Sequence, residues 1–130
     1  MAARAWPDGI DGFAADITEP SQLVGAAAGC DAVIHATGIV LEEPPNATFQ
    51  RVNVEGTRHL LEECRRAGAP KVILISSLGA ECGQSTYHVS KREAEALVRA
   101  YEGPWLILRP GNVYGPGDDV ISQLLSMHRT

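Results

Sequence analysis

The sequence predicts an α/β protein built on a parallel sheet, and three observations carry that expectation. Short apolar runs at Ala32-Val-Ile-His35, Lys71-Val-Ile-Leu-Ile-Ser76 and Trp105-Leu-Ile-Leu-Arg109 alternate with stretches of helical periodicity. The run at 71–76 is continuously apolar, the pattern of a strand buried on both faces of a parallel sheet. Strand and helix in strict alternation mean βαβ units, whose crossovers make neighbouring strands parallel. At 130 residues one domain spanning 1–130 is expected.

The elements follow in order. Gly12-Phe-Ala-Ala-Asp-Ile17 reads as a short strand ending in an acid. Thr18 to Ser21 begins a helix, with Pro20 suited to a first turn, and Gln22 to Ala28 continues it until Gly29. After the strand at Ala32, residues 37–46 carry Gly38, Pro44 and Pro45 and form a loop. The longest helix runs from about Ala47 to Ala67. There Phe49, Val52, Gly56, Leu60 and Cys64 share one face, and Gly68 closes it. Beyond the strand at Lys71, a Gly-containing loop reaches Ser85, and Thr86 to Tyr101 is a helix rich in Glu, Ala, Lys and Arg. A turn-rich loop, Pro110 to Gly117, follows the last strand. Asp118 or Asp119 then caps an amphipathic helix to Met127.

Composition narrows the class of function. Sixteen acidic and eleven basic residues leave a net charge of −5, which argues against nucleic-acid or anionic-membrane partners. No apolar run approaches the ~18–20 residues needed to span a bilayer. The first eight residues lack the apolar core of a secretory signal. Cys30, Cys64 and Cys82 form no CxxC pair, so neither a disulfide framework nor a metal site is expected, and a reducing, cytoplasmic setting is.

The chemistry concentrates in Tyr87-His-Val-Ser-Lys91. A Tyr and a Lys four apart on a helix face the same side. A cationic amine near a phenol favours the phenolate, and such a tyrosine can pass a proton to or from a carbonyl. Taken alone the pair is also compatible with surface decoration. Ten residues upstream, the buried strand ends in Ser76-Ser77, where parallel sheets place their sites. A hydroxyl there can bond the oxygen that the tyrosine protonates, although Ser-Ser after a strand is otherwise a polar loop start. Asp16 closes a strand too, either as a loop acid or as an acceptor for an adenine amino group. His35-Ala-Thr-Gly38 follows a strand with small residues that let a flat ligand approach the backbone. Asn53, a poor helix former inside a helix, marks a kink or a close contact, or is simply solvated.

Together these pieces resemble the short-chain dehydrogenase/reductase superfamily, on its extended or atypical, NAD-dependent epimerase/dehydratase-like side. Ala15-Asp16-Ile17-Thr18 resembles that family's Gly-Asp-Leu-Thr/Ser stretch, and Val33-Ile-His-Ala-Thr-Gly38 its strand-end segment over the cofactor's adenosine and ribose. Asn53-Val-Glu-Gly-Thr57 is similar to its Asn-x-x-Gly-Thr helix signature. Leu108-Arg-Pro-Gly-Asn-Val-Tyr-Gly-Pro-Gly117 is similar to its Leu-Arg-Pro…Tyr-Gly-Pro-Gly loop.

The resemblance implies an NAD(P)-dependent oxidoreductase, epimerase or dehydratase acting on a hydroxyl or carbonyl, with a nucleotide sugar among the candidate substrates. Tyr87 would be the general acid/base, Lys91 its tuner and a contact to the nicotinamide ribose, and Asn53 a support. Ser77 would hold the substrate oxygen, with Ser76 the alternate and counted with the cofactor residues. Asp16, Ile17, Ala36, Thr37 and Gly38 would face the adenosine side, and Pro110, Asn112 and Val113 the nicotinamide. The implied cofactor is NAD or NADP and the implied partner a small-molecule substrate. A non-enzymatic NAD(P)H-binding protein of the atypical branch and an inert fragment are the alternatives.

The family's Gly-x-x-Gly-x-x-Gly phosphate turn has no counterpart here. Gly9, Gly12 and Gly25 do not stand between a strand and a helix at that spacing. The expected fold is therefore a Rossmann-like doubly wound parallel sheet, incomplete at both ends: the first two strands would precede Met1 and a substrate segment would follow Thr130. The missing turn implies weak cofactor binding, and exposed strand edges imply a tendency to aggregate or to pair into a homodimer.

Overall fold

The computed structural model describes residues 9–115. The expected helix to Met127, with its caps Asp118 and Asp119, lies outside them, as does Gly117. Three strands form one parallel sheet in the order β1-β2-β3: β1 Ala32–His35, β2 Lys71–Ile75 and β3 Trp105–Leu108. Val33 lies beside Val72 and His35 beside Leu74, while Val72 and Leu74 lie beside Trp105 and Ile107. Each connection carries a helix, α1 Gly56–Arg66 and α2 Thr86–Arg99. This is the Rossmann-like α/β architecture the sequence implies, with three strands among the described residues.

Successive right-handed crossovers that advance in one direction place their helices on the same face. The core shows that consequence: Leu61 and Cys64 of α1 and Ala94 and Val98 of α2 pack on Val33, Val72, Leu74 and Ile107. The opposite face carries Ile34, Ile73, Leu106 and Leu108. Ile34 is 67% exposed, and Leu106 and Leu108 are exposed as well. The expectation that β2 is buried on both faces is thus corrected. Val72 and Leu74 are buried, Ile73 and Ile75 only partly.

Two further expectations change. Residues 12–16 form no strand, because a strand exists through a ladder with a neighbour and none lies beside them among the described residues. The helix foreseen to Ala28 shrinks to a single 3₁₀ turn, Pro20–Leu23, followed by turns to Gly29. That segment is held instead by α1: the buried Glu63 carboxylate accepts from the Gly25 amide at 2.8 Å. Gly29 and Gly68 stop their segments as expected, with φ of +71° and +94° that side-chain-bearing residues rarely adopt.

The long helix departs from its periodicity in an informative place. It opens with a π-helical turn over Gln50–Glu55 before continuing as α1. Asn53 sits inside this wider turn and is buried, so the kink-or-contact reading of a mid-helix Asn is the correct one.

Candidate active site

The C-terminal ends of the three strands carry the site. β2 passes into Ser76-Ser77, and the strand pairing continues outward: the Ser76 amide donates to the Leu108 carbonyl at 2.7 Å and the Leu78 amide to that of Pro110 at 2.9 Å. These bonds align the loop after β2 with the loop after β3. Helix α2 then starts at Ser85, whose hydroxyl accepts from the His88 amide at 3.2 Å, an N-cap that fixes the first turn and Tyr87 on it.

A cavity of about 620 Å³ lies between these loops, and Ser77, Tyr87, Pro110, Asn112 and Val113 all line it. Five of the expected site residues therefore meet. His88 and Leu78, which the sequence did not single out, line it too. The Tyr87 ring is held edge-on by Phe49, with centroids 5.8 Å apart, and its hydroxyl has no partner among the described residues.

The two adjacent serines differ in burial. The Ser76 hydroxyl donates to the Glu95 carboxylate at 2.6 Å and is turned into the interior, whereas Ser77 faces the cavity. In this structure the Ser76 hydroxyl makes an internal contact. Glu95 also receives both Nε and Nη2 of Arg109, at 2.8 and 2.7 Å, and Nη2 of Arg99 at 3.0 Å. Arg109 above all, then Ser76 and Arg99, holds this carboxyl down to about 2 against the cost of its burial.

Lys91 is buried one turn below Tyr87, and its ammonium donates to the Ile75 carbonyl at 2.9 Å. Burial lowers its pKa, opposed by the Glu95 charge. No hydrogen bond joins it to Tyr87 among the described residues. Asn53 is tied across the site: its Oδ1 accepts from the Ile39 amide at 2.9 Å, and its Nδ2 donates to the Ile39 carbonyl at 3.2 Å and to Ser90 Oγ at 3.0 Å. Gly38 lies directly against Asn53 and Lys91.

The remaining expected residues stand apart from this cavity. Ala36 and Thr37 leave β1 exposed. Asp16 accepts at Oδ1 from both the amide and the hydroxyl of Thr18, each at 2.8 Å, and these bonds hold its carboxyl below the usual carboxylate range. Ile17 lies against Gly56, and its carbonyl meets His59 Nδ1 at 3.0 Å. Ile17 is thus anchored to α1, while Asp16 is held within its own turn. Among the described residues no cluster of three His, Cys, Asp or Glu side chains is placed to hold a metal ion, and no helix is long and apolar enough to cross a membrane.

Sequence reasoning missed Glu95, Arg109 and His35 as site-organising residues. A signal was present for the first: Glu95 falls four residues after Lys91, on the buried side of α2.

Known proteins are similar to this chain in sequence and fold. The profile of the NAD dependent epimerase/dehydratase family matches residues 2–129. Ceramide reductase of Caulobacter vibrioides is 42% identical over 104 residues, covering 79% of this chain and 32% of that protein. The structure of UDP-glucuronic acid 4-epimerase from Bacillus cereus in complex with NAD superposes with a TM-score of 0.66 at 27% identity, over 86% of this chain and 44% of that one. Glucuronic acid dehydrogenase from Chromohalobacter salexigens gives 0.76 at 22% identity, over 92% and 52%, and shares the fold. The chain thus spans between about a third and about half of these proteins.

Proposed function

Since this chain belongs to the NAD dependent epimerase/dehydratase family, we propose that it carries the proton-transfer site of an NAD(P)-linked oxidoreductase acting on a carbonyl or secondary alcohol. The observation that supports this reading is the convergence of Ser77 and Tyr87 on one cavity, with the Lys91 ammonium buried one turn below. Tyr87 exchanges a proton with the substrate oxygen, and Ser77 Oγ hydrogen-bonds that oxygen. Lys91 stabilises the negative charge that develops on the phenol oxygen. Asn53 keeps the loop after β1 in place.

The residues fit the nicotinamide end of a dinucleotide. Lys91 leaves ammonium protons unclaimed beside its bond to Ile75. A Cβ at Gly38 would stand 3.2 Å from Asn53 Oδ1 and 3.6 Å from Lys91 Nζ, so the backbone there is kept bare. Lys91, Pro110, Asn112 and Val113 would hold that end, and Asp16, Ile17, Ala36, Thr37 and Gly38 the adenosine side. Bound there, the dinucleotide supplies hydride exchange with the substrate carbon.

The cavity rim favours a carbonyl on an aliphatic carrier over a nucleotide sugar. Val40, Leu78 and Val113 line it, with Leu78 67% and Val113 78% exposed. The identity to ceramide reductase supports the same class. The test is NAD(P)H oxidation with a long-chain keto amide and with a hexose-derived ketone, in wild type and Tyr87→Phe. Turnover of the keto amide that Tyr87→Phe lowers ~10²–10⁴-fold is expected. Equal turnover in the variant overturns the role of Tyr87, and preference for the sugar overturns the substrate class.

A further inference from the structure

We infer that His35 is a positioning residue for Tyr87, acting through a buried hydrogen-bond chain of Thr57, Asn53 and Ser90; its functional meaning rests on the reading of Tyr87 as acid/base. His35 closes β1 with its ring 2% exposed, and Nε2 lies 2.8 Å from Thr57 Oγ1. Thr57 Oγ1 donates to the Asn53 carbonyl at 2.6 Å. A hydroxyl has one proton, so Thr57 must accept from His35, and the ring is the Nε2–H tautomer.

That assignment leaves Nδ1 with a bare lone pair, and Nδ1 is the buried side-chain atom left without a partner among the described residues. An unpaired buried acceptor is costly, and an apolar side chain at 35 would avoid the cost. The residue that is present delivers one thing an apolar side chain cannot, an N–H to Thr57. Burial and the Lys91 ammonium both disfavour a second ring proton, so the donor stays a neutral imidazole.

The bond propagates. Thr57 fixes the carbonyl of Asn53 inside the π-helical turn, where the helical ladder is displaced. The Asn53 amide donates to Ser90 Oγ at 3.0 Å, and Ser90 Oγ donates to the Tyr87 carbonyl at 2.7 Å. The end of β1, the start of the long helix and the first turn of α2 are so joined by buried bonds. Nothing in the proton transfer itself uses His35.

Nuclear magnetic resonance on the 130-residue chain tests the inference. Wild type should show His35 protonated at Nε2 alone and slowly exchanging Asn53 side-chain amide protons. Thr57→Val and His35→Leu should speed that exchange at least tenfold and shift the Tyr87 ring signals. Thr57→Ser and His35→Gln, which keep the hydroxyl and the N–H, should restore both. Unchanged Asn53 and Tyr87 signals in Thr57→Val, failure of the conservative variants to rescue, or an Nδ1–H tautomer overturns the inference. If His35→Leu does not fold, the Thr57 pair decides alone. Activity retained by Tyr87→Phe would remove the acid/base reading without touching these signals, so the two failures are distinguishable.

Discussion

Arg109 grips Glu95 with two nitrogens, at 2.8 and 2.7 Å, and so fastens the end of β3 to the middle of α2. The carboxylate is 2% exposed, so without Arg109 its buried charge would be left to Arg99 and Ser76 alone. Because Ser76 and Arg99 also reach Glu95, it links the loop that carries Ser77 to the loop that carries Pro110 and Asn112.

Arg109→Ala is expected to lower stability without abolishing folding, since Arg99 and Ser76 remain on Glu95. Urea midpoints of the two proteins measure it. An unchanged midpoint would mean that solvent already screens the pair.

The two serines should separate cleanly. Ser76→Ala removes a hydrogen bond to a charged group and should lower stability by ~1.5–3 kcal/mol. Ser77→Ala should leave the melting temperature nearly unchanged and reduce turnover. The reverse pattern would return the catalytic serine to position 76.

Two groups give acid sensitivity in adjoining windows. Burial, with Lys91, holds His35 down at about 4 from 6.5, so the unfolded chain takes up a proton that the native state refuses. The stability this group contributes is complete above about pH 6.5 and is lost as pH falls toward 4. Glu95, at about 2 against 4.5, binds its proton less readily when folded. Its contribution, on the order of 3 kcal/mol, is complete above about pH 5 and disappears toward pH 2. His35→Gln should flatten the first window and Glu95→Gln the second, read from denaturation midpoints between pH 7 and pH 2.

Thiol labelling should count two reactive cysteines in the native protein. Cys64 is buried, and its thiol is pushed up to about 11 by burial first and by Glu63 next. Cys30 and Cys82 are exposed. At pH 8 a disulfide reagent should titrate these two rapidly and the third only after denaturation. Fast labelling of all three would show that the α1 core opens locally.

Leu61→Ala tests the one-sided core. Leu61 is fully buried beneath the sheet and packs with Val72, Leu74 and Val98. The expected cost is ~2–5 kcal/mol with a lower thermal midpoint. Leu106→Ala, on the uncovered face, should cost far less because that side chain is already half exposed.

The three strands and two principal helices were legible because each is specified by neighbours in sequence: an apolar run, a helical stripe, a glycine stop. Tyr87 and Lys91 were legible for the same reason, being one helical turn apart. The strand expected at 12–17 was not formed, and the helix to Ala28 became a single turn. Both depend on what packs beside them, which local pattern does not encode.

The order of residues determined the α/β class, the parallel ladder and the identities brought near the strand ends. Tertiary structure alone decided which of two adjacent serines faces the cavity, since successive strand residues point to opposite sides and only packing chooses the side. It also decided that His35, Thr57, Asn53 and Ser90 share one buried chain, and that Glu95 meets an arginine fourteen residues away. Such contacts are made by the strand-to-helix crossovers. A hydrogen bond depends on ångström placement of partners distant in sequence, whereas hydrophobic periodicity depends only on the spacing along one element.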